Sequence, residues 1–94
     1  MSRWKKLLRR AKEGPANLSF DDLCKIAELA GFEERDRRGG SHVIYKHPDI
    51  SDISGAMCNF QSIDGKAKPY QVRQLLEKIE LYQLGPAEEA EDEG

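Results

Sequence analysis

The chain has 94 residues, of which 34% are charged and 38% hydrophobic, and a formal net charge of −2. That length makes one small domain, able to bury roughly 60–65% of the surface its unfolded form exposes, which allows a core but excludes a deep enzyme cleft. The acidity is misleading, because residues 85–94 hold five acids and no base while residues 1–14 hold six Lys/Arg against one Glu. Without the tail, residues 1–84 carry 15 bases and 12 acids.

Cys24 and Cys58 lie far apart and outside any C-x-x-C arrangement, which excludes a disulfide framework and fits a reducing compartment. The longest apolar run near the N-terminus is Leu7-Leu8, too short for a signal-peptide core or a membrane span. A cytoplasmic protein without a membrane partner is expected.

Trp4, Leu7, Leu8 and Ala11 recur at helical spacing, with Lys5, Lys6, Arg9, Arg10 and Lys12 around the rest, and Gly14-Pro15 breaks the pattern. Residues 1–14 are therefore read as a basic amphipathic helix whose apolar stripe packs on the body. Its cationic face also suits a nucleic acid or a membrane surface. Ser19 and Asp22 form a capping-box pattern, with Leu18 and Leu23 placed as a hydrophobic staple. Phe20, Leu23, Cys24, Ala27 and Ala30 predict the buried face of a helix over 20–30, stopped by Gly31.

Three strands are expected next: Phe32 to Arg38, Ser41 to His47 after a glycine turn, and Met57 to Gln61, with residues 48–56 a loop. Alternation places Val43 and Tyr45 toward the core and His42, Ile44 and Lys46 on the opposite face. Asp64-Gly65 reads as a turn, and Pro69 as the first residue of a last helix. Val72, Leu75, Leu76, Ile79 and Tyr82 form its apolar stripe, and Gly85-Pro86 stops it. Residues 85–94 have nothing to bury and read as a disordered acidic tail. The predicted fold is α+β, an α-β-β-β-α sandwich with an additional N-terminal helix and one sheet face free.

Chemistry on that free face centres on His42, whose side-chain type exchanges protons near neutral pH. Arg37 and Arg38 precede it, and Lys46 shares its face. No metal is expected, since His42 and His47 point to opposite faces of a regular strand and neither cysteine has a partner at ligand spacing. Gly39-Gly40 lies between strands and opens no helix, so it is neither a Walker nor a dinucleotide loop. From spacing alone, His42 reads as a half-exposed strand residue without catalytic meaning, Ser41 as a turn residue, and His47 before Pro48 as a structural strand end.

A resemblance singles out His42. The helix ending in Gly31-Phe32, the triplet Gly40-Ser41-His42, the ending Tyr45-Lys46-His47-Pro48, and Gly65-Lys66-Ala67-Lys68-Pro69-Tyr70-Gln71-Val72 before Leu75-Leu76 together resemble the HicA family of bacterial and archaeal toxins. The likeness runs from Leu18 to Leu84, within an expected HicA-like domain of residues 17–84. It departs in two places: Val43 stands where many members have a second histidine, and Met57-Cys58-Asn59-Phe60 lacks a third-strand proline.

The resemblance implies a double-stranded-RNA-binding-domain-like fold and an mRNA endonuclease inhibited by a HicB-like antitoxin, with His42 catalytic; no cofactor is expected. Lys46, Arg37, Arg38 and Ser41 are then the expected RNA-binding residues. RNA carries its own nucleophile, the 2′-hydroxyl, so a single histidine acting as general base suffices for a domain too small for a pocket. An antitoxin covering the His42 face would supply control that so shallow a site lacks. Two other classes fit the same residues: a non-catalytic RNA-binding module and a protein-interaction domain.

Overall fold

A computed structural model describes residues 3–39 and 41–86. In chain order these form α1 (Arg3–Glu13), a 3₁₀ turn (Pro15–Asn17), α2 (Phe20–Leu29), β1 (Glu33–Arg38) and β2 (His42–Lys46). A short helix α3 (Ile53–Ala56), β3 (Met57–Ile63), β4 (Lys66–Ala67) and α4 (Pro69–Leu81) complete it. The four strands make one antiparallel sheet in the order β1-β2-β3-β4. The architecture is α+β and compatible with the double-stranded-RNA-binding-domain-like arrangement. Two elements go beyond the sequence expectation. Residues 53–56 close one helical turn because Asp52 Oδ2 accepts the Gly55 N–H at 3.1 Å. β4 arises because Asp64 and Gly65 both adopt positive φ, 52° and 78°, which folds the chain back on β3.

Local chemistry explains the helix ends. Ser19 Oγ accepts the Asp22 N–H at 3.0 Å, a cap worth about 1 kcal/mol. α2 ends in a Schellman arrangement, with the Gly31 N–H on the Glu28 carbonyl and the Phe32 N–H on the Ala27 carbonyl. Gly31, at φ +103°, supplies the left-handed residue this needs. Pro69 opens α4, where no N–H is required.

Val43 and Phe60 face each other across β2 and β3, as do Tyr45 and Cys58, and all four are buried. They pack with the apolar stripes of α2 (Leu23, Ile26, Ala27) and α4 (Val72, Leu75, Ile79) in one core. α1 lies against both helices through buried Trp4, Leu7 and Ala11, and Arg10 pairs with Asp22 at 2.8 Å. Its apolar stripe therefore belongs to the core, leaving the basic side to solvent. From residue 87 onward the predicted tail lies outside the described residues. No helix among the described residues is long and apolar enough to cross a membrane.

Candidate functional site

β2 is the inner strand of the β1-β2-β3 ladder, and its alternation decides which side chains can meet. Val43 and Tyr45 point into the core, so His42, Ile44 and Lys46 occupy the other face, half-exposed. The register gives His42 two direct neighbours on that face, Arg38 on β1 and Gln61 on β3, at the Cβ spacing of cross-strand pairs, about 4.5–5.5 Å. Gln61 Oε1 accepts from Lys68 Nζ. A row Arg38, His42, Gln61, Lys68 therefore crosses the sheet with a cation at each end and the imidazole between.

The His42 ring is held in place. Its Nε2 lies 2.6 Å from Oδ1 of Asn59, the β3 residue paired with Ile44 and hence a diagonal neighbour of His42. This pair borders an open groove of about 600 Å³ between the outer edge of β3 and α4, lined also by Gln61, Tyr70, Gln71, Gln74 and Lys78. β4 pairs only with Ser62 and Ile63, so the rest of that edge lacks a strand partner. Side chains of α4 serve it instead: Gln71 Oε1 accepts the Gln61 N–H at 2.9 Å, and Lys78 Nζ donates to the Met57 carbonyl. The edge of β3, one strand over from His42, is thus met by α4 side chains at Gln61 and at Met57.

The other expected residues divide by register. Arg38 is exposed and hydrogen-bonds Asp36 at 3.1 Å; an exposed pair of this kind contributes at most about 1 kcal/mol, so the guanidinium exchanges readily onto another anion. Arg37 pairs with Val43, which puts it on the helix-bearing face, where it binds Glu34 at 3.1 Å. The structure does not bring it to His42. Lys46 shares the face of His42 but lies four residues along the strand, about 13 Å away, between Glu33 and Met57 in the ladder. Ser41 is exposed in the β1–β2 turn, and its carbonyl accepts the Ser62 N–H at 2.9 Å. Gly40 lies outside the described residues. Asn59, Gln61 and Lys68 did not stand out in the sequence. Their parity and motif positions were visible, but their proximity to His42 depends on the β2–β3 register.

His47 is a different kind of histidine. It is buried, its Nε2 bonds the Ala30 carbonyl at 3.1 Å and its Nδ1 accepts the Asp49 N–H at 3.1 Å, so neither nitrogen is left for chemistry. The cysteines are likewise withdrawn. Burial pushes the Cys58 thiol up, partly offset by Lys78, and burial pushes Cys24 up against the Tyr45 and Arg37 contacts. A thiol held protonated is a poor nucleophile. Among the described residues no group of three or more His, Cys, Asp and Glu gathers as a metal-binding set.

With this geometry in place, comparison with protein-family models matches residues 20–81 to the HicA toxin of bacterial toxin–antitoxin systems. That stretch runs from the first residue of α2 to the last of α4 and contains the whole sheet. Comparison with curated proteins and with solved structures finds no match.

Proposed function

Because the chain belongs to the HicA toxin family, whose members act in toxin–antitoxin systems beside a HicB-type antitoxin, we propose that it is a metal-independent endoribonuclease acting on mRNA, with His42 as the general base. The observation that carries this reading is the cross-strand row, which sets a half-exposed imidazole between Arg38 and the Gln61–Lys68 pair. Neutral His42 takes the proton of a ribose 2′-hydroxyl, and the 2′-oxygen attacks the adjacent phosphorus. The bond from phosphorus to the 5′-oxygen breaks, leaving a 2′,3′-cyclic phosphate, and the imidazolium or a water protonates the 5′-oxygen. Arg38, released from Asp36, neutralises the charge that builds on the phosphate.

General-base assistance supplies about 10²–10⁴-fold, and electrostatic stabilisation the remainder. DNA lacks the 2′-hydroxyl and is not cut. Cytoplasmic mRNA is the substrate this chemistry suits, and an antitoxin covering the open sheet face would block it. Lys46 and Ser41 border the same face and would hold flanking phosphates rather than the reacting one.

Induced expression of the wild type and of His42→Ala, followed for growth and RNA integrity, tests the reading. The wild type should arrest growth and the variant, equally soluble, should not. With purified protein, cleavage should persist in excess EDTA and leave the cyclic phosphate. Undiminished toxicity of His42→Ala, or a strict magnesium requirement with a 3′-hydroxyl product, overturns it.

A further inference from the structure

The contact between His42 and Asn59 decides which ring nitrogen does the work. We propose that Asn59 is a positioning residue that accepts the Nε2–H of His42, locks the imidazole in that tautomer and leaves Nδ1 as the proton acceptor.

Three observations support this. The 2.6 Å separation joins Nε2 to the amide oxygen, which cannot donate, so the hydrogen between them belongs to the ring. Nδ1 has no protein partner among the described residues, so its lone pair is free for a substrate hydroxyl. The two residues also sit on adjacent strands of one ladder, with Ile44 paired to Asn59 and Gln61 paired to His42, so rigid backbone rather than a loop sets their relative placement. When Nδ1 takes the 2′-hydroxyl proton, the ring becomes a cation with Nε2–H still directed at the amide oxygen. The partial negative charge there stabilises the imidazolium as it forms. This is the role an orienting group plays beside a catalytic histidine in general, performed here by a neutral amide.

The inference rests on the proposed general-base role of His42 for its effect on cleavage, but the tautomer can be read without RNA. Nitrogen-15 NMR of the histidine rings in the intact chain, with Asn59→Ala and Asn59→Asp beside the wild type, provides that reading. Asn59 is exposed, and the thermal melt of each variant checks that it folds. The wild type should show the Nε2–H form of His42 alone, whereas Asn59→Ala should show both neutral tautomers in exchange and cleave about 10–100-fold more slowly, in kcat more than in KM. Asn59→Asp restores the acceptor and adds a charge that favours the protonated ring. It should recover the single tautomer while moving the acid limb of the pH–rate profile up by about one unit.

A wild type dominated by the Nδ1–H form, or a tautomer balance and pH profile indifferent to both substitutions, overturns the proposal. If His42→Ala cleaved as well as the wild type, the general-base reading of His42 would fail while the ring spectra still decided whether Asn59 sets its tautomer.

Discussion

Arg38 and Lys46 share a sheet face but stand at different distances from His42, and their effects on cleavage should differ accordingly. Arg38 faces His42 across the ladder, and in the proposed mechanism a phosphate whose 2′-hydroxyl meets the ring would lie within its reach. A charge-assisted hydrogen bond in that position is worth about 1.5–3 kcal/mol, so Arg38→Ala should slow single-turnover cleavage about 10–100-fold. Lys46, about 13 Å along the strand, acts only as a screened charge, and Lys46→Ala should cost less than about 3-fold. Arg37→Ala should resemble Lys46→Ala, since its guanidinium is on the other face with Glu34. Single-turnover rates on one RNA rank the three, and a larger loss at Lys46 than at Arg38 would contradict the assignment of the charge-stabilising role.

The junction of α2, β1 and β2 is held by one interlocked set of groups. Gly31 ends α2, and an added Cβ there would lie 2.6 Å from Nε2 of His47. The His47 ring in turn spans from the Ala30 carbonyl to the Asp49 N–H and meets Phe32 edge-on, with ring centroids 5.0 Å apart. Removing it strands a buried carbonyl and opens a void, so His47→Ala should lower stability by about 2–4 kcal/mol. Gly31→Ala combines left-handed strain with a clash and should cost about 1–3 kcal/mol. Because both act on one junction, the double variant should lose less than the sum of the two. Urea denaturation in the His42→Ala background, which removes the proposed catalytic group, measures all three; additive losses would mean that the two residues do not share a junction.

At the scale of the molecule, three titratable groups of the core, Cys24, Cys58 and Tyr45, favour their neutral forms. Cys58 and Cys24 are raised above the ordinary thiol value of 9.0, and the Tyr45 hydroxyl is raised as well, by burial and by its 2.8 Å bond to Glu28. A group raised on folding adds stability that is fully present below its unfolded value and is lost as pH rises through the folded one. Stability should therefore show no loss from these groups at neutral pH and fall progressively above about pH 9. In the same way, native thiols should react slowly with a disulfide reagent at pH 8 and quickly once the chain is unfolded. Denaturation midpoints across an alkaline series, with thiol labelling beside them, check both, and rapid labelling of the native protein would refute the withdrawn cysteines.

Features that depend on neighbouring residues were legible in the chain: the Ser19 cap, the Gly31 stop, Pro69 at the start of α4, the stripes of α1, α2 and α4, and the parity that puts Val43 and Tyr45 inside and His42 outside. Each follows from backbone geometry within a few residues, and local chemistry suffices to set it. α3 and β4 were not, because one turn of helix and two residues of strand carry too little periodicity to register.

The geometry of the candidate site was legible in part. Two adjacent arginines must point to opposite faces of β1, so only one of Arg37 and Arg38 could join His42, and the β1–β2 register, with its shift between Glu34 and Asp36, selected Arg38. Strand pairing likewise set Lys46 apart, brought Asn59 to the ring from 17 residues away and placed Lys68 beside Gln61. The sequence by itself determined which residue types were offered to the open face. Tertiary structure decided which of them meet, because register is a property of two strands at once and a slip of one residue turns every side chain to the other side.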